Sequence, residues 1–189
     1  MSVIDAIKTR SSNGIMTDKA VSPEKIRQIL DAAVCTPVHH NAKPWRFLVI
    51  QGEGRQVLGD IMVQHLTKTM SDPEESKAIA LRDKLSKKPF RSPVIIAVAA
   101  AKPDGEKILM IENVASAVAA CQNILLAAPA LGLSAFWRTG SFMYASETVS
   151  ALGFEGGTEL VGLIYLGYPK REMPPKPREP SDAYVRWLQ

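Results

Sequence analysis

Pro93–Ala101 (PVIIAVAAA) is a run in which few positions could face water. A strand of that kind has both faces covered and therefore belongs at the centre of a sheet. Three further segments read as strands beside it. Leu160–Leu166 (LVGLIYL) is again apolar throughout, Arg46–Gln51 (RFLVIQ) runs into the turn Gly52-Glu53-Gly54, and Ala135–Arg138 (AFWR) is short. A membrane span is not expected, because Val114–Leu133 is rich in alanine and broken by polar residues, short of the ~20 strongly apolar residues a span needs.

Helices alternate with these strands. Val3, Ile4 and Ile7 at helical spacing predict a short helix before the polar loop Thr9-Arg10-Ser11-Ser12-Asn13-Gly14. The next has Ser22 as N-cap and Pro23 at the first helical position, then Ile26, Ile29, Leu30, Ala33 and Val34 as one stripe. It should stop at Thr36, because Pro37 pushes the preceding residue out of the helical region. Val57–Leu66 predicts another amphipathic helix, residues 74–87 a further one, and Glu147–Leu152 a short one. The longest is expected over Glu112–Ala128, with Val114, Ala117, Val118, Cys121, Ile124, Leu125 and Ala128 inward and a kink or termination at Pro129. About four strands among four or five helices give an α+β, mixed α/β sandwich.

The chain of 189 residues suits one domain, here 1–168, followed by an arm over 169–189. The arm holds five of the 13 prolines and ends in Tyr184, Val185, Trp187 and Leu188. It cannot be a continuous helix, and its apolar tip suits docking on a symmetric partner subunit. With 46% hydrophobic and 22% charged residues, disorder is excluded for most of the length. Lys and Arg number 23 against 19 Asp and Glu, dispersed, which falls short of a nucleic-acid footprint. The first residues, Met1-Ser2-Val3-Ile4-Asp5, lack the layout of a secretory leader, and two cysteines make no disulfide framework, so the expectation is cytoplasmic.

Familiar chemical motifs are missing, among them G-x-G-x-x-G after a strand, a P-loop, H-E-x-x-H and G-x-S-x-G. His39-His40 has no neighbouring ligand set for a metal. Cys35 and His39 are four apart, but Pro37 interrupts them, and a small buried cysteine is the favoured role for Cys35. What remains are polar clusters between apolar elements: Thr9–Ser12, Thr36–Trp45, Trp137–Gly140 and Lys176-Pro177-Arg178. Together they supply cations and hydroxyls for a phosphate and aromatic surface for a planar ring.

Four segments carry a resemblance. They are TRSS at 9–12, AAVCTPVHHNAKPWRFLVIQGEGR at 32–55, AVAACQNILLAAPALGLSAFWRTG at 117–140, and LVGLIYLGYP at 160–169 followed by the basic KPR. The sequence resembles the nitroreductase family of FMN-dependent oxidoreductases, in its short YdjA-like bacterial subgroup, from Ile4 to about Trp187. The resemblance implies a central, mostly antiparallel sheet flanked by helices, and a homodimer with exchanged C-terminal arms and FMN at the interface. It assigns Arg10 with Ser11 or Ser12 to the FMN phosphate region, and Lys176 and Arg178 to the phosphate. His39 would contact the flavin, and Trp137, Arg138 and Thr139 would lie along its ring or ribityl chain. Cys35 falls at a site position that is arginine in some relatives, Lys43 where many have glutamine, and Pro129 where most continue the long helix.

The same resemblance implies a reaction without a catalytic side chain or metal. The flavin carries the redox chemistry, taking hydride from NADH or NADPH at N5 and passing it to nitroaromatic, quinone or similar small acceptors in a ping-pong cycle. Two other readings stay open. One is a flavin-binding storage or sensor protein of the same fold without turnover, and the other is a basic module for anions or nucleic acid.

Overall fold

The computed structural model describes residues 2–174 and 177–189. Its frame is a four-stranded antiparallel sheet in the order β1-β2-β4-β3, formed by β1 (Trp45–Gln51), β2 (Val94–Ala100), β3 (Ser134–Arg138) and β4 (Glu159–Gly167). All seven residues of β2 are buried, as the apolar run requires. The expected sandwich is therefore observed, with β1 and β3 as the two edges.

Side-chain alternation sends Ile96 and Val98 to one face of the sheet and Ile95, Ala97 and Ala99 to the other. On the first face lie α2 (Pro23–Ala33) and α5 (Met110–Ala130). The opposite face takes Leu58, Ile61 and Met62 of α3 (Gly54–Thr69) and Val149 of α6 (Ser146–Ala151), with α4 (Ser76–Ser86) packed on α3. The Ser22 hydroxyl caps α2 by accepting from the Lys25 N–H at 3.4 Å. α2 stops at Ala33 because a tight turn, Cys35 N–H to Ala32 C=O at 3.2 Å, closes it before Pro37 is reached.

α5 crosses all four strands and is the core helix. By length and composition it could cross a membrane, yet Ala117, Ala120, Cys121, Ile124 and Ala128 are fully buried against the sheet and α2. Its inward face is rotated from the sequence expectation. Val118 is exposed and Asn113 and Ser116 are buried, because Asn113 donates to the Ala101 carbonyl at 3.0 Å and Ser116 to Glu112 at 3.1 Å. At Pro129 termination wins over a kink. The helix ends one residue later, and Gly132 at φ +73° turns the chain so that the Leu131 and Leu133 N–H groups both reach the Ala128 carbonyl.

α1 (Val3–Thr9) forms as expected, capped by Ser2 and Asp5, but buries none of its residues. The arm begins by pairing with the loop after α1: Met16 bridges Pro169, and Lys170 N–H donates to Ile15 C=O at 3.0 Å. Its tip stays exposed, Trp187 at 81% and Leu188 at 96%.

Burial pushes the Cys121 thiol from 9.0 up to about 12. The unfolded chain releases that proton above about pH 9 while the folded protein keeps it, so stability falls as pH rises through this window. The denaturant midpoint should drop between pH 8 and pH 11, and Cys121→Ala should remove roughly 2–3 kcal/mol of that drop. An alkaline decline unchanged by the substitution would refute the assignment.

Candidate functional site

The loop after α1 and the root of the arm meet at the start of edge strand β3. Asn13 makes this junction. It is 5% exposed, its backbone N–H donates to Ala135 C=O at 3.4 Å, its Nδ2 donates to Arg171 C=O at 2.9 Å, and its Oδ1 accepts from Ile15 N–H at 3.0 Å. One buried asparagine, through its backbone N–H and its side-chain amide, thus ties loop, strand and arm together. Nothing in the run Ser11-Ser12-Asn13-Gly14 distinguishes it from an exposed turn, which is why its role was not legible beforehand.

Around that junction runs a groove of about 420 Å³ lined by Arg10, Ser11, Leu126, Pro129, Ser134 and Glu172. Arg178 joins Arg10, donating from Nη2 to its carbonyl at 3.1 Å, and Ser12 Oγ lies 3.5 Å from Arg10 Nη1. Arg10 and Arg178 have no carboxylate partner among the described residues. Glu172 also lines the groove but pairs with neither arginine, and two guanidinium groups with adjacent hydroxyls suit a phosphate. Lys176, expected beside Arg178, lies outside the described residues.

Further along β3, neighbouring side chains point to opposite faces of the sheet. Trp137 lies on the α5 face, its Nε1 donating to Val161 C=O at 3.4 Å. It fits there because Gly162 of β4 has no side chain; a Cβ at that position would collide with the indole. Arg138 takes the α3 face, its guanidinium 4.3 Å from the Phe136 ring and 5.2 Å from that of Tyr165, with one end beside Gly14. Burial raises the Tyr165 phenol above its usual range despite the opposing charges of Arg138 and Arg91. Thr139 is exposed at the strand end. Trp137, Arg138 and Thr139 therefore do not converge side by side. What they share is the edge of β3, which extends ~13 Å from Ser134 beside the groove to Arg138.

Cys35 and His39 stand elsewhere. His39 Nε2 is 3.5 Å from Glu112 at the N-terminal end of α5, while the groove meets α5 at Pro129. Those two positions are ~25 Å apart along the helix. Cys35 is exposed, not buried as the sequence suggested, because α2 ends before it and its thiol only reaches back to Asp31 C=O at 3.2 Å. Within the chain, then, Arg10, Ser11, Ser12, Arg178, Trp137, Arg138 and Thr139 follow one sheet edge, and Cys35 with His39 lie apart.

A sequence model described as the nitroreductase family matches residues 7–168. YdjA of Escherichia coli strain K12, provisionally named an NAD(P)H nitroreductase, is 32% identical over 170 residues, covering 90% of each chain. A crystal structure of a nitroreductase-like family protein from Bacillus cereus superposes with a TM-score of 0.83 at 27% identity, covering 100% of this chain and 97% of that one. A provisionally named nitroreductase of Desulfovibrio desulfuricans, crystallised in complex with FMN, gives 0.73 at 29% identity over 100% and 98%.

Because Gly162 makes the bed for Trp137, Gly162→Ala should displace the indole. A changed tryptophan emission spectrum and a stability loss of about 1–3 kcal/mol are expected. A variant with wild-type emission and midpoint would show that the glycine is not needed there.

Proposed function

The chain belongs to the nitroreductase family, and on that premise we propose that it is an FMN-dependent oxidoreductase using NADH or NADPH. The observation that carries this reading is Arg10, which lines a groove beside an open strand edge while its carbonyl holds the Arg178 guanidinium. FMN, when bound, would supply the redox chemistry between NAD(P)H and nitroaromatic, quinone or related small acceptors, in a ping-pong cycle.

The protein's share is binding and electrostatics. Arg10, Arg178 and the hydroxyls of Ser11 and Ser12 would hold the phosphate, with Lys176 as a further cation. Trp137, Arg138 and Thr139 on the β3 edge would hold the ring or ribityl chain. Asn13 already accounts for Ala135 C=O, and in an antiparallel ladder the next outward backbone groups belong to Trp137. Arg138, its guanidinium over Phe136 and beside Gly14, places positive charge along that edge, where it would favour an electron-rich ring. A reducing cytoplasm suits the two free thiols of Cys35 and Cys121.

The active form is proposed to be a homodimer. Among the described residues, exposed apolar side chains include Val3 and Ile4 of α1, Ile111 of α5, Tyr144, and Tyr184, Trp187 and Leu188 of the arm tip. A second copy covering them buries what a soluble monomer rarely exposes. It would also let Cys35 and His39 of one subunit approach the β3 edge of the other, which the ~25 Å separation prevents within a chain.

Purified protein should show absorbance bands at about 370 and 450 nm from bound flavin and should oxidise NADH or NADPH with a quinone or nitroaromatic. Arg10→Ala should weaken FMN binding about ten- to hundredfold, measured by flavin fluorescence, since one charge-assisted contact is worth ~1.5–3 kcal/mol. Colourless protein that takes up no FMN would overturn the reading, whereas yellow protein without turnover would favour a storage or sensor role. Replacing Trp187 and Leu188 together by Ala should shift sedimentation toward monomer by at least about tenfold in dissociation constant. An unchanged dimer would remove the arm from the interface.

A further inference from the structure

On the sheet face opposite α5, a second cavity of about 220 Å³ opens between α3, α4 and the end of β3. Most of its wall is apolar, formed by residues such as Leu66, Leu81, Leu85 and Phe142. Its polar end is built differently. Lys88 from the turn after α4, Arg138 from β3 and Tyr165 from β4 all line it, and no carboxylate does.

These groups lack partners. Arg138 Nε and the Tyr165 hydroxyl are both buried without a hydrogen bond, and Tyr165 is only 2% exposed. Neither Lys88 nor Arg138 has an ion-pair partner among the described residues. Burial, followed by the charges of Arg138, Arg91 and Lys84, holds the Lys88 amine below the usual lysine range. Orphaned buried donors and unbalanced cations each cost free energy that a bound anion would recover.

We propose that this cavity binds a small apolar carboxylate, its head between Lys88, Arg138 Nε and the Tyr165 hydroxyl and its body against the leucines and Phe142. Volume and lining select that class. Pockets for drug-sized ligands span ~300–1,000 Å³, so this one takes a single ring or short chain and excludes a tricyclic flavin. A bare inorganic anion would match the cations and leave the apolar wall uncovered. The cavity is separate from the groove at Arg10, sharing with the cofactor reading the positions of Arg138 and Thr139 at the end of β3.

Calorimetric titration of the purified, flavin-loaded protein tests this with benzoate, benzamide and inorganic phosphate as probes. Benzoate should bind at least about tenfold more tightly than either of the others. Lys88→Met should abolish that preference and Lys88→Arg should retain it, with Tyr165→Phe weakening benzoate in a second, independent element. Equal binding of benzoate and benzamide, phosphate binding as tightly as benzoate, or a Lys88→Met protein with the wild-type preference would each overturn the proposal. The flavin absorbance of the same sample reports the cofactor reading separately, so the two can fail independently.

Discussion

Complete burial of one strand organises this protein. β2 has no residue in contact with water, so each face must be covered along its whole length and each edge must be paired. α5 meets the first demand on one side, using alanines and Cys121 to approach closely, and α3 with the segment around Phe142 and Met143 meets it on the other. β1 and β4 meet the second. Covering apolar surface at about 25 cal/mol per Å² makes this the dominant favourable contribution. The outer strands and loops are free to serve other ends.

Binding capacity accordingly collects at the sheet edge and not in the core. β3 is paired on one side only, and the loop of residues 10–16 covers just its beginning. An uncovered strand edge is ordinarily a liability, because its backbone groups invite another chain. Here charged and aromatic side chains flank it: Arg10 and Arg178 at one end, Arg138 and Trp137 at the other. Alternation along five residues also gives the two faces different chemistry, an indole over Gly162 above and a guanidinium between Phe136 and Tyr165 below.

Much of the frame was legible because it rests on local rules. Ser22-Pro23 announced the start of α2, the unbroken run at 94–100 announced the central strand, and the Gly52 turn closed β1 where expected. Ends and orientations were less so. α5 rotates its inward face because Asn113 and Ser116 satisfy their polar groups on backbone carbonyls, a compensation that hydrophobic spacing cannot register. The site was legible as a set of residue types tied to a family likeness, but not as an arrangement. That Asn13 is a buried tie, that Cys35 lies exposed beyond the end of α2, and that Lys88 faces Arg138 across a cavity all depend on contacts between segments far apart in sequence. Gly162 was the exception with a visible signal, since a glycine inside an apolar strand marks close approach.

Fastening the arm at Arg178 makes the Trp187–Leu188 pair a ligand on a short leash. Nine residues at full stretch reach about 30 Å, roughly the length of α5. A surface inside that radius that took up the exposed pair would meet it at an effective concentration on the order of millimolar, so geometry would count before affinity. Adding or deleting a few residues between Arg178 and the tip would therefore alter which surface wins, with every contact chemically unchanged.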